Sequence, residues 1–200
     1  AISGVTDNFR IDGRSCFDIR QTRVKAGVVS SCNGSAQIQA KNCNITVGIK
    51  VEVGAPSPDE PDCGIVEISV DCSANASPRF EGRGGEELAQ EIVFVLSNSI
   101  IPTIDKKALC ISEGHKVWRI YIDVLILECN CVSQLLDLSA IGIKAALFDT
   151  RVPKLIADEE DANDFVLSPE TEEYCPVNVS DLPLLLTLTR IHDQYVADVT

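Results

Sequence analysis

The strongest periodic signal in this sequence is an alternation of apolar and polar residues between positions 43 and 53. The apolar positions of that run are Cys43, Ile45, Val47, Ile49, Val51 and Val53. Residues 64–72 repeat the pattern, with a proline-rich, acidic loop at 54–62 between the two runs. A period of two is typical of strands with one buried face. With weaker strands near 22–30 and 35–41, the pattern predicts an antiparallel meander that packs on one side.

A first helix is predicted after the Gly84–Gly85 pair. Two glutamates follow the glycines, and acidic side chains favour the positive end of a helix dipole. Apolar residues then recur with a period of 3.6 at Leu88, Ile92 and Val95. That spacing is typical of a helix with one buried face.

A central strand and a buried helix are predicted next. Residues 117–128 begin by alternating and become continuously apolar at 124–127, which is typical of a strand covered on both faces. Residues 135–148 are apolar nearly all round, which favours a buried helix. Strands followed by a helix, a buried strand and a second helix predict a layered α+β domain.

The last part of the chain is different in composition. Residues 157–173 hold eight acidic residues and no basic one, and we interpret them as a solvated acidic loop. Two further strands are predicted at 182–188 and 195–199, joined near His192.

Composition restricts the class of protein. The 200 residues are 45% hydrophobic with a mean hydropathy of +0.11, which is a globular composition. Seventeen basic and thirty acidic residues give a net charge of −13, so any contact with nucleic acid must come from a local basic patch. No run approaches the ~20 apolar residues of a membrane span, and the first residues have no signal-peptide pattern.

The nine cysteines leave two hypotheses about compartment. Four glycosylation sequons, at Asn33, Asn44, Asn75 and Asn178, would suit a secreted, disulfide-rich glycoprotein. The odd cysteine count argues against it, as do cysteines in phase with apolar strand positions, because free cysteine behaves as a small buried hydrophobe. We therefore favour a reducing compartment and keep the glycoprotein as an alternative.

Five short motifs occur in a characteristic order along the chain. They are RIDGR at 10–14, GSA at 34–36, FEGRGG at 80–85, DVLILE at 123–128 and KAALFDTRVP at 144–153. In the first, Asp12-Gly13 is a turn signal between Arg10 and Arg14, and we expect the arginines to tether the N-terminal segment to the sheet or to a neighbouring subunit. In the second, Gly34 is expected to permit a tight turn before a strand.

Together these motifs resemble the ribonuclease PH family, over roughly residues 5 to 155. The resemblance is greatest to the branch of exosome ring subunits of the ribosomal RNA-processing protein 42 (exosome component 7) type. It implies an α+β ribonuclease PH-like (ribosomal protein S5 domain 2-like) fold, a mixed sheet with helices packed on it. We expect an N-terminal domain at 1–155 and, at 156–200, an acidic loop and strands that begin an incomplete second half. The chain is expected to lack the C-terminal part of the family.

The resemblance also bears on activity. Active family members use phosphate to cleave the terminal RNA nucleotide, and a Gly-Thr-Arg step after the buried strand binds that phosphate. The matching residues here, 128–134, contain no arginine or glycine, and the metal-binding aspartates of active members would lie beyond Thr200. Glu128 keeps a carboxylate at the strand end, and Ser133 is expected to cap the next helix. We predict a non-catalytic protein with no catalytic residue, metal or cofactor.

Two arginines are candidate RNA ligands. Relatives present basic residues near Arg79 and Arg83, so we predict contacts of these side chains with RNA phosphates. The alternative is that Arg83 forms an ordinary surface ion pair with Glu81, Glu86 or Glu87. Cys129-Asn130-Cys131 lacks the partner ligands of a zinc site and is interpreted as a structural or idle pair.

The function predicted from this resemblance is that of a structural subunit of the RNA exosome ring. Its implied partners are other ribonuclease PH-like ring subunits, notably of the mRNA transport regulator 3 type, RNA-binding cap subunits, and RNA in the ring channel. Its implied locations are nucleus or nucleolus and cytoplasm, with no membrane. The alternative within the family is an active phosphate-dependent 3′-to-5′ exoribonuclease.

Overall fold

The computed structural model describes residues 10–41, 43–157, 165–167 and 173–199 of the protein. Its main elements are strands β1 Arg23–Ala26, β2 Gly34–Ala40, β3 Cys43–Gly54, β4 Ile65–Cys72, β5 Cys110–Ser112 and β6 Lys116–Cys129, with helices α1 Gly84–Ile100 and α2 Leu135–Asp149. Shorter strands follow at β7 Val152–Pro153, β8 Leu155–Ala157, β9 Phe165–Leu167, β10 Glu173–Tyr174, β11 Leu188–Ile191 and β12 Gln194–Ala197. This is the α+β class expected from the pattern.

The central sheet is mixed, with strand order β1-β2-β3-β6-β4 and β5 paired to one end of β6. β1, β2, β3 and β6 pair antiparallel, whereas β4 runs parallel to β6. The predicted meander is therefore wrong at β4. Two neighbouring parallel strands need a crossover, and α1 supplies it between β4 and β6. As a result β6 lies between β3 and β4, which are consecutive in sequence.

The alternation in β3 is confirmed along most of its length. Every second side chain from Cys43 to Val51 is buried, while Val53 is 42% exposed at the end of the strand. In β4, Val66 and Ile68 are buried as predicted, and Val70 and Cys72 are partly buried. These apolar faces form one continuous core with the helices.

Coverage of β6 differs from the prediction. The strand is central in the sheet, but Leu125 and Leu127 are 36% and 39% exposed. The side chains of Val124 and Ile126 between them are almost fully buried. The helices pack on one face of the sheet only, so the continuous apolar run reflects a central strand with one open face.

Helix α1 begins at Gly84, so it contains the glycine pair that was expected to precede it. Its buried positions are Gly85, Ala89, Ile92, Leu96 and Ile100. Val95, predicted to be on the buried side, is 37% exposed, and Phe94 is 70% exposed. A Cβ at Gly85 would lie 3.2 Å from the Cβ of Cys72, so the start of the helix approaches β4 closely at this residue. This approach determines which side of α1 is buried.

Helix α2 is buried as predicted, and two glycines let it approach the sheet. A Cβ on Gly142 would lie 2.5 Å from Ile38 Cδ1. A Cβ on Gly34 would lie 2.5 Å from the backbone oxygen of Ala146 and 2.6 Å from Thr150 Cα. Gly34 is the first residue of β2, so its role is contact with the end of α2 and not the predicted turn.

The end of the chain forms the antiparallel hairpin β11–β12. The strand predicted at 195–199 is confirmed within a residue or two, whereas residues 182–187 are not in a strand. Leu184 and Leu186 are 61% and 58% exposed there. Most of the predicted acidic loop at 157–173 lies outside the described residues.

The arginines of the first motif tether the N-terminal segment, as expected, but to this hairpin and not to the central sheet. Arg10 donates to the backbone oxygens of Ala197 and Asp198 at 2.8 and 2.7 Å. Arg14 Nη1 donates to Asp198 Oδ2 at 2.6 Å, and Arg20 donates to the same oxygen from its backbone N–H and Nε at 2.8 and 2.9 Å. Arg20 Nη2 adds an ion-pair contact with Asp198 Oδ1 at 2.9 Å.

Asp198 is the centre of this arginine cluster, which consists of Arg10, Arg14, Arg20 and Asp198. Its side chain is only 5% exposed, and its φ of 49° is in the left-handed region that aspartate tolerates. Burial opposes ionisation, but hydrogen bonds from Arg20 and Arg14 outweigh it and lower the pKa of Asp198. The cluster therefore holds an ionised carboxylate between cationic side chains.

Within the described residues, neither long helix has the length and hydropathy of a bilayer-spanning segment.

Candidate RNA-binding site

The loop between β4 and α1 carries both candidate arginines. Ser77 caps a 3₁₀ turn at Pro78–Phe80, its hydroxyl oxygen accepting from the Arg79 N–H at 3.4 Å, and proline fixes the first position of the turn. Phe80 is 3% exposed and anchors the loop in the core. Gly82 then adopts a φ of 71°, which a residue with a side chain rarely adopts, and the chain enters α1.

Backbone hydrogen bonds fix this loop against the end of β6. The Ser73 N–H donates to Ile126 O at 3.1 Å, and the Cys129 N–H donates to Ala76 O at 3.0 Å. The loop therefore continues the sheet edge past β4 and lies beside the last residues of β6. Because the loop and the end of β6 are far apart in the sequence, the sequence gave no indication that they are neighbours.

Arg79 and Arg83 are both exposed on this loop. In the described part of the chain neither forms a salt bridge, so the predicted alternative pairing of Arg83 with Glu81, Glu86 or Glu87 is not present there. Arg83 is the residue before α1, and its carbonyl oxygen accepts from the Glu86 N–H at 3.1 Å. Exposed guanidinium groups without a partner are suited to bind an anionic ligand.

Arg79 also influences the end of β6 electrostatically. The pKa of the Cys129 thiol is lowered, first by a hydrogen bond from Cys43, then by the backbone N–H of Cys131 and the charge of Arg79. These effects outweigh burial of the thiol. Arg79 is therefore close enough to the β6 end to act on it, and the loop and the strand end form one surface.

The segment that follows β6 makes contacts unlike those expected. Ser133 does not cap α2, because its hydroxyl donates to the Val199 carbonyl oxygen at 2.7 Å. Cys131 Sγ donates to the same oxygen at 3.1 Å. Gln134 occupies the cap position without a side-chain cap, and its Oε1 is buried with no hydrogen-bond partner in the described structure. The Val199 carbonyl oxygen therefore engages the side chains of both Cys131 and Ser133.

The first turn of α2 carries a carboxylate. Asp137 accepts from the backbone N–H of Thr187 at 2.9 Å and from its hydroxyl at 2.7 Å. An acidic side chain in this position complements the positive end of the helix. It also repels an anion, and residues 128–134 supply no cation to offset that repulsion.

Metal binding at the cysteines has no support in the described residues, where no three His, Cys, Asp or Glu side chains cluster closely enough to share an ion. All nine cysteines lie in that part of the chain, and each is a free thiol. Glu128 is exposed on the strand end.

Two residues of this region were not found from the sequence. Asp137 accepts a hydrogen bond from Thr187, and the Val199 carbonyl oxygen accepts one from Ser133. In each pair the two residues are about 50 or more positions apart in the sequence. Only the acidic residue in a helical first turn could have drawn attention to Asp137.

The fold and the motifs match one protein family. Residues 18–153 match the sequence model of the 3′ exoribonuclease family, domain 1. The chain belongs to this 3′ exoribonuclease family. Its central sheet and two helices are therefore a ribonuclease PH domain, as the five motifs indicated.

Several family relatives are exosome components. The chain is 35% identical over 191 residues to exosome complex component Rrp42 of Methanopyrus kandleri, covering 94% of this chain and 69% of the relative. It is 37% identical to the Thermococcus kodakarensis Rrp42, covering 94% and 68%. The Archaeoglobus fulgidus exosome with RNA bound to the active site contains a chain that aligns with a TM-score of 0.75 and 32% identity, over 99% of this chain and 73% of that one.

Proposed function

We propose that this 3′ exoribonuclease family member is a non-catalytic ring subunit of the RNA exosome that supports 3′-to-5′ RNA processing and decay. The observation that carries the proposal is similarity to Rrp42 exosome components along nearly the whole chain, combined with the absence of arginine and glycine from residues 128–134 after β6. The RNA classes in the proposal are ribosomal RNA precursors and messenger RNA. Partners in the proposal are other ribonuclease PH-like ring subunits, including the mRNA transport regulator 3 type, and RNA-binding cap subunits.

The absence of catalysis is supported by chemistry at the start of α2. Phosphate binding needs free backbone N–H groups at a helix start together with a cationic fork. Here the helix start carries Asp137, and the polar groups of Cys131 and Ser133 are engaged by Val199. A phosphate ion at the start of α2 would meet the Asp137 carboxylate, and residues 128–134 supply no arginine to offset it.

Assembly is supported by the exposed apolar surface. Large apolar side chains with more than 55% of their surface exposed are Ile11, Phe17, Ile19, Phe94, Phe148, Leu184 and Leu186. An open cavity of about 230 Å³ lies among Ile19, Leu138 and Leu184, against the side of α2. Apolar surface of this extent is typical of a protein that buries it against another part of an assembly.

RNA contact is proposed for Arg79 and Arg83. We expect the double variant Arg79→Glu, Arg83→Glu to bind a single-stranded RNA oligonucleotide about tenfold more weakly in the assembled complex. Loss of two phosphate contacts should also reduce the slope of log affinity against log salt by about 1.4. Fluorescence anisotropy at several salt concentrations measures both quantities.

The matched control for that experiment is Lys107→Glu. Lys107 is 74% exposed and pairs with Asp62 before β4, at the opposite end of the parallel strands. It changes the net charge by two units, as each single variant Arg79→Glu or Arg83→Glu does, without the proposed RNA contact. Equal weakening by Lys107→Glu and by the single arginine variants would mean that only net charge matters, and the proposed contacts would be wrong.

A second prediction concerns phosphorolysis. The purified chain incubated with single-stranded RNA and inorganic phosphate should release no nucleoside diphosphate above a no-enzyme blank, because residues 128–134, between the end of β6 and the start of α2, supply no cationic side chain for the phosphate. Thin-layer chromatography of 3′-labelled RNA detects the product. Phosphate-dependent release of nucleoside diphosphate by the chain would instead support the active exoribonuclease.

Location in nucleus or nucleolus and cytoplasm is part of the same proposal and follows from the resemblance. Imaging of the tagged chain together with a ring subunit in its own cells tests it.

A further inference from the structure

Two buried cysteines face each other across adjacent strands of the sheet. Cys43 begins β3 and Cys129 ends β6, and they are direct partners in the antiparallel register. They are 2% and 1% exposed, and each thiol shifts the pKa of the other. This pair lies beside the arginine loop, to which Cys129 is joined by a backbone hydrogen bond with Ala76, but its thiols take no part in the proposed function.

The backbone around this pair is suited to a covalent bond. The Cys129 N–H donates to Ala76 O at 3.0 Å, so it points away from β3 and does not donate to Cys43. In antiparallel strands such a non-hydrogen-bonded pair has its Cα atoms at about 4.5 Å and its side chains close together. Disulfides join Cα atoms roughly 4.4–6.8 Å apart, so a pair of this kind is within bridging distance. The register of β3 on β6 shifts just beyond the pair, between Asn44 and Ile45.

The two sulfur atoms have unequal proton affinities. The hydrogen bond from Cys43 lowers the pKa of Cys129, with help from the Cys131 N–H and Arg79, while the same bond and burial raise the pKa of Cys43. The charge of Arg79 and the Cys131 N–H favour a thiolate at Cys129, so Cys129 is the better nucleophile of the two. Cys72, another nearby thiol, has its pKa raised to about 11, chiefly by burial and also by Asp71, and is the poorer competitor.

We propose that Cys43 and Cys129 form a reversible modification site, a cross-strand disulfide that is made when the protein meets a small peroxide oxidant. The Cys129 sulfur attacks one oxygen of hydrogen peroxide and becomes a sulfenic acid, releasing the other oxygen as hydroxide, which takes up the lost thiol proton as water. The Cys43 sulfur then displaces the sulfenic hydroxyl group as a second water. Two thiols lose two electrons and two protons, and one peroxide becomes two waters.

The test is peptide mapping of the whole 200-residue chain after treatment with hydrogen peroxide, followed by alkylation under denaturing conditions and tryptic digestion. Cys43 falls in peptide 42–50 and Cys129 in peptide 120–144, which also contains Cys131. The expected product is these two peptides joined, with a loss of about 2 Da that dithiothreitol reverses. Fragmentation assigns the bond to Cys129.

Variants distinguish this pair from its neighbours. Cys43→Ala and Cys129→Ala should each abolish the linked product, whereas Cys72→Ala and Cys131→Ala should leave it unchanged. A second measurement avoids dependence on folded variants, because the oxidised wild-type chain should melt roughly 5–15 °C higher than the reduced chain once β3 and β6 are joined.

Three results would overturn the proposal. One is a link from Cys129 to Cys72 or Cys131 in place of Cys43. Another is over-oxidation of Cys129 without any linked peptide. The third is full alkylation of Cys43 and Cys129 at a peroxide concentration that already oxidises the more exposed Cys131.

Discussion

Asp198→Asn is expected to lower the free energy of unfolding by about 3 kcal/mol, because it removes the only carboxylate that the described structure places between Arg14 and Arg20. Those two side chains are 17% and 12% exposed, so water compensates little for the lost charge. Asparagine keeps the size of the residue and tolerates its left-handed backbone, so the change isolates the charge. Chemical denaturation followed by circular dichroism measures the difference.

Asp12→Asn is the matched control. Asp12 pairs with the same Arg14 at 2.6 Å, but its side chain is 41% exposed. An exposed pair contributes about 1 kcal/mol or less, so this variant should remain close to wild type. Equal losses of unfolding free energy in Asp12→Asn and Asp198→Asn would show that the arginine cluster does not hold the segment of Arg10 and Arg14 to the β11–β12 hairpin.

The same carboxylate predicts a dependence on pH. The pKa of Asp198 is lowered in the folded state, so its stabilising contribution is present above the unfolded value of about 3.9. That contribution is lost as pH falls from about 5 through the folded pKa. The difference in stability between wild type and Asp198→Asn should therefore shrink as the pH is lowered from 6 to about 3, and a constant difference would contradict the ionised carboxylate.

Gly34→Ala is expected to cost about 3 kcal/mol or more, or to prevent folding. The new Cβ would lie 2.5 Å from Ala146 O and 2.6 Å from Thr150 Cα, both backbone atoms at the end of α2. Backbone atoms cannot rotate out of the way as a side chain can. Helix α2 would therefore have to move away from β2, which would open the core. Thermal and urea denaturation give the size of the loss.

Gly48→Ala in β3 is the control for this change. The Cβ there would meet only the Cys32 sulfur, at 3.0 Å, and that side chain can move. We expect a loss below about 1.5 kcal/mol. If Gly34→Ala were as stable as Gly48→Ala, the close approach of α2 to β2 would not be a determinant of this fold.

Much of the fold could be predicted from local pattern. The alternation in β3 and the apolar run of α2 reflect burial that each element experiences along its own length, so sequence alone revealed them. Strand order was not accessible in this way. The position of β6 between β3 and β4 depends on a crossover through α1, and a run such as Leu125–Leu127 is equally apolar whether one face is covered or both.

The candidate site divides in the same way. Sequence identified Arg10 and Arg14 of the arginine cluster and the loop of Arg79, because their residue types and spacing are distinctive, but it identified neither Arg20 nor Asp198. It could not show that Arg14 meets Asp198 or that the Ala76 carbonyl binds Cys129, since each contact joins distant positions. The role of Gly34 was misjudged for a related reason, because the atoms that exclude a side chain there belong to α2.

The most direct test of the central claim is native mass spectrometry of the tagged chain purified from its own cells under mild conditions. We predict recovery in a stable assembly that includes other ribonuclease PH-like chains. Recovery of the chain as a monomer, or in a complex without such chains, would contradict an exosome ring subunit and leave only membership of the 3′ exoribonuclease family.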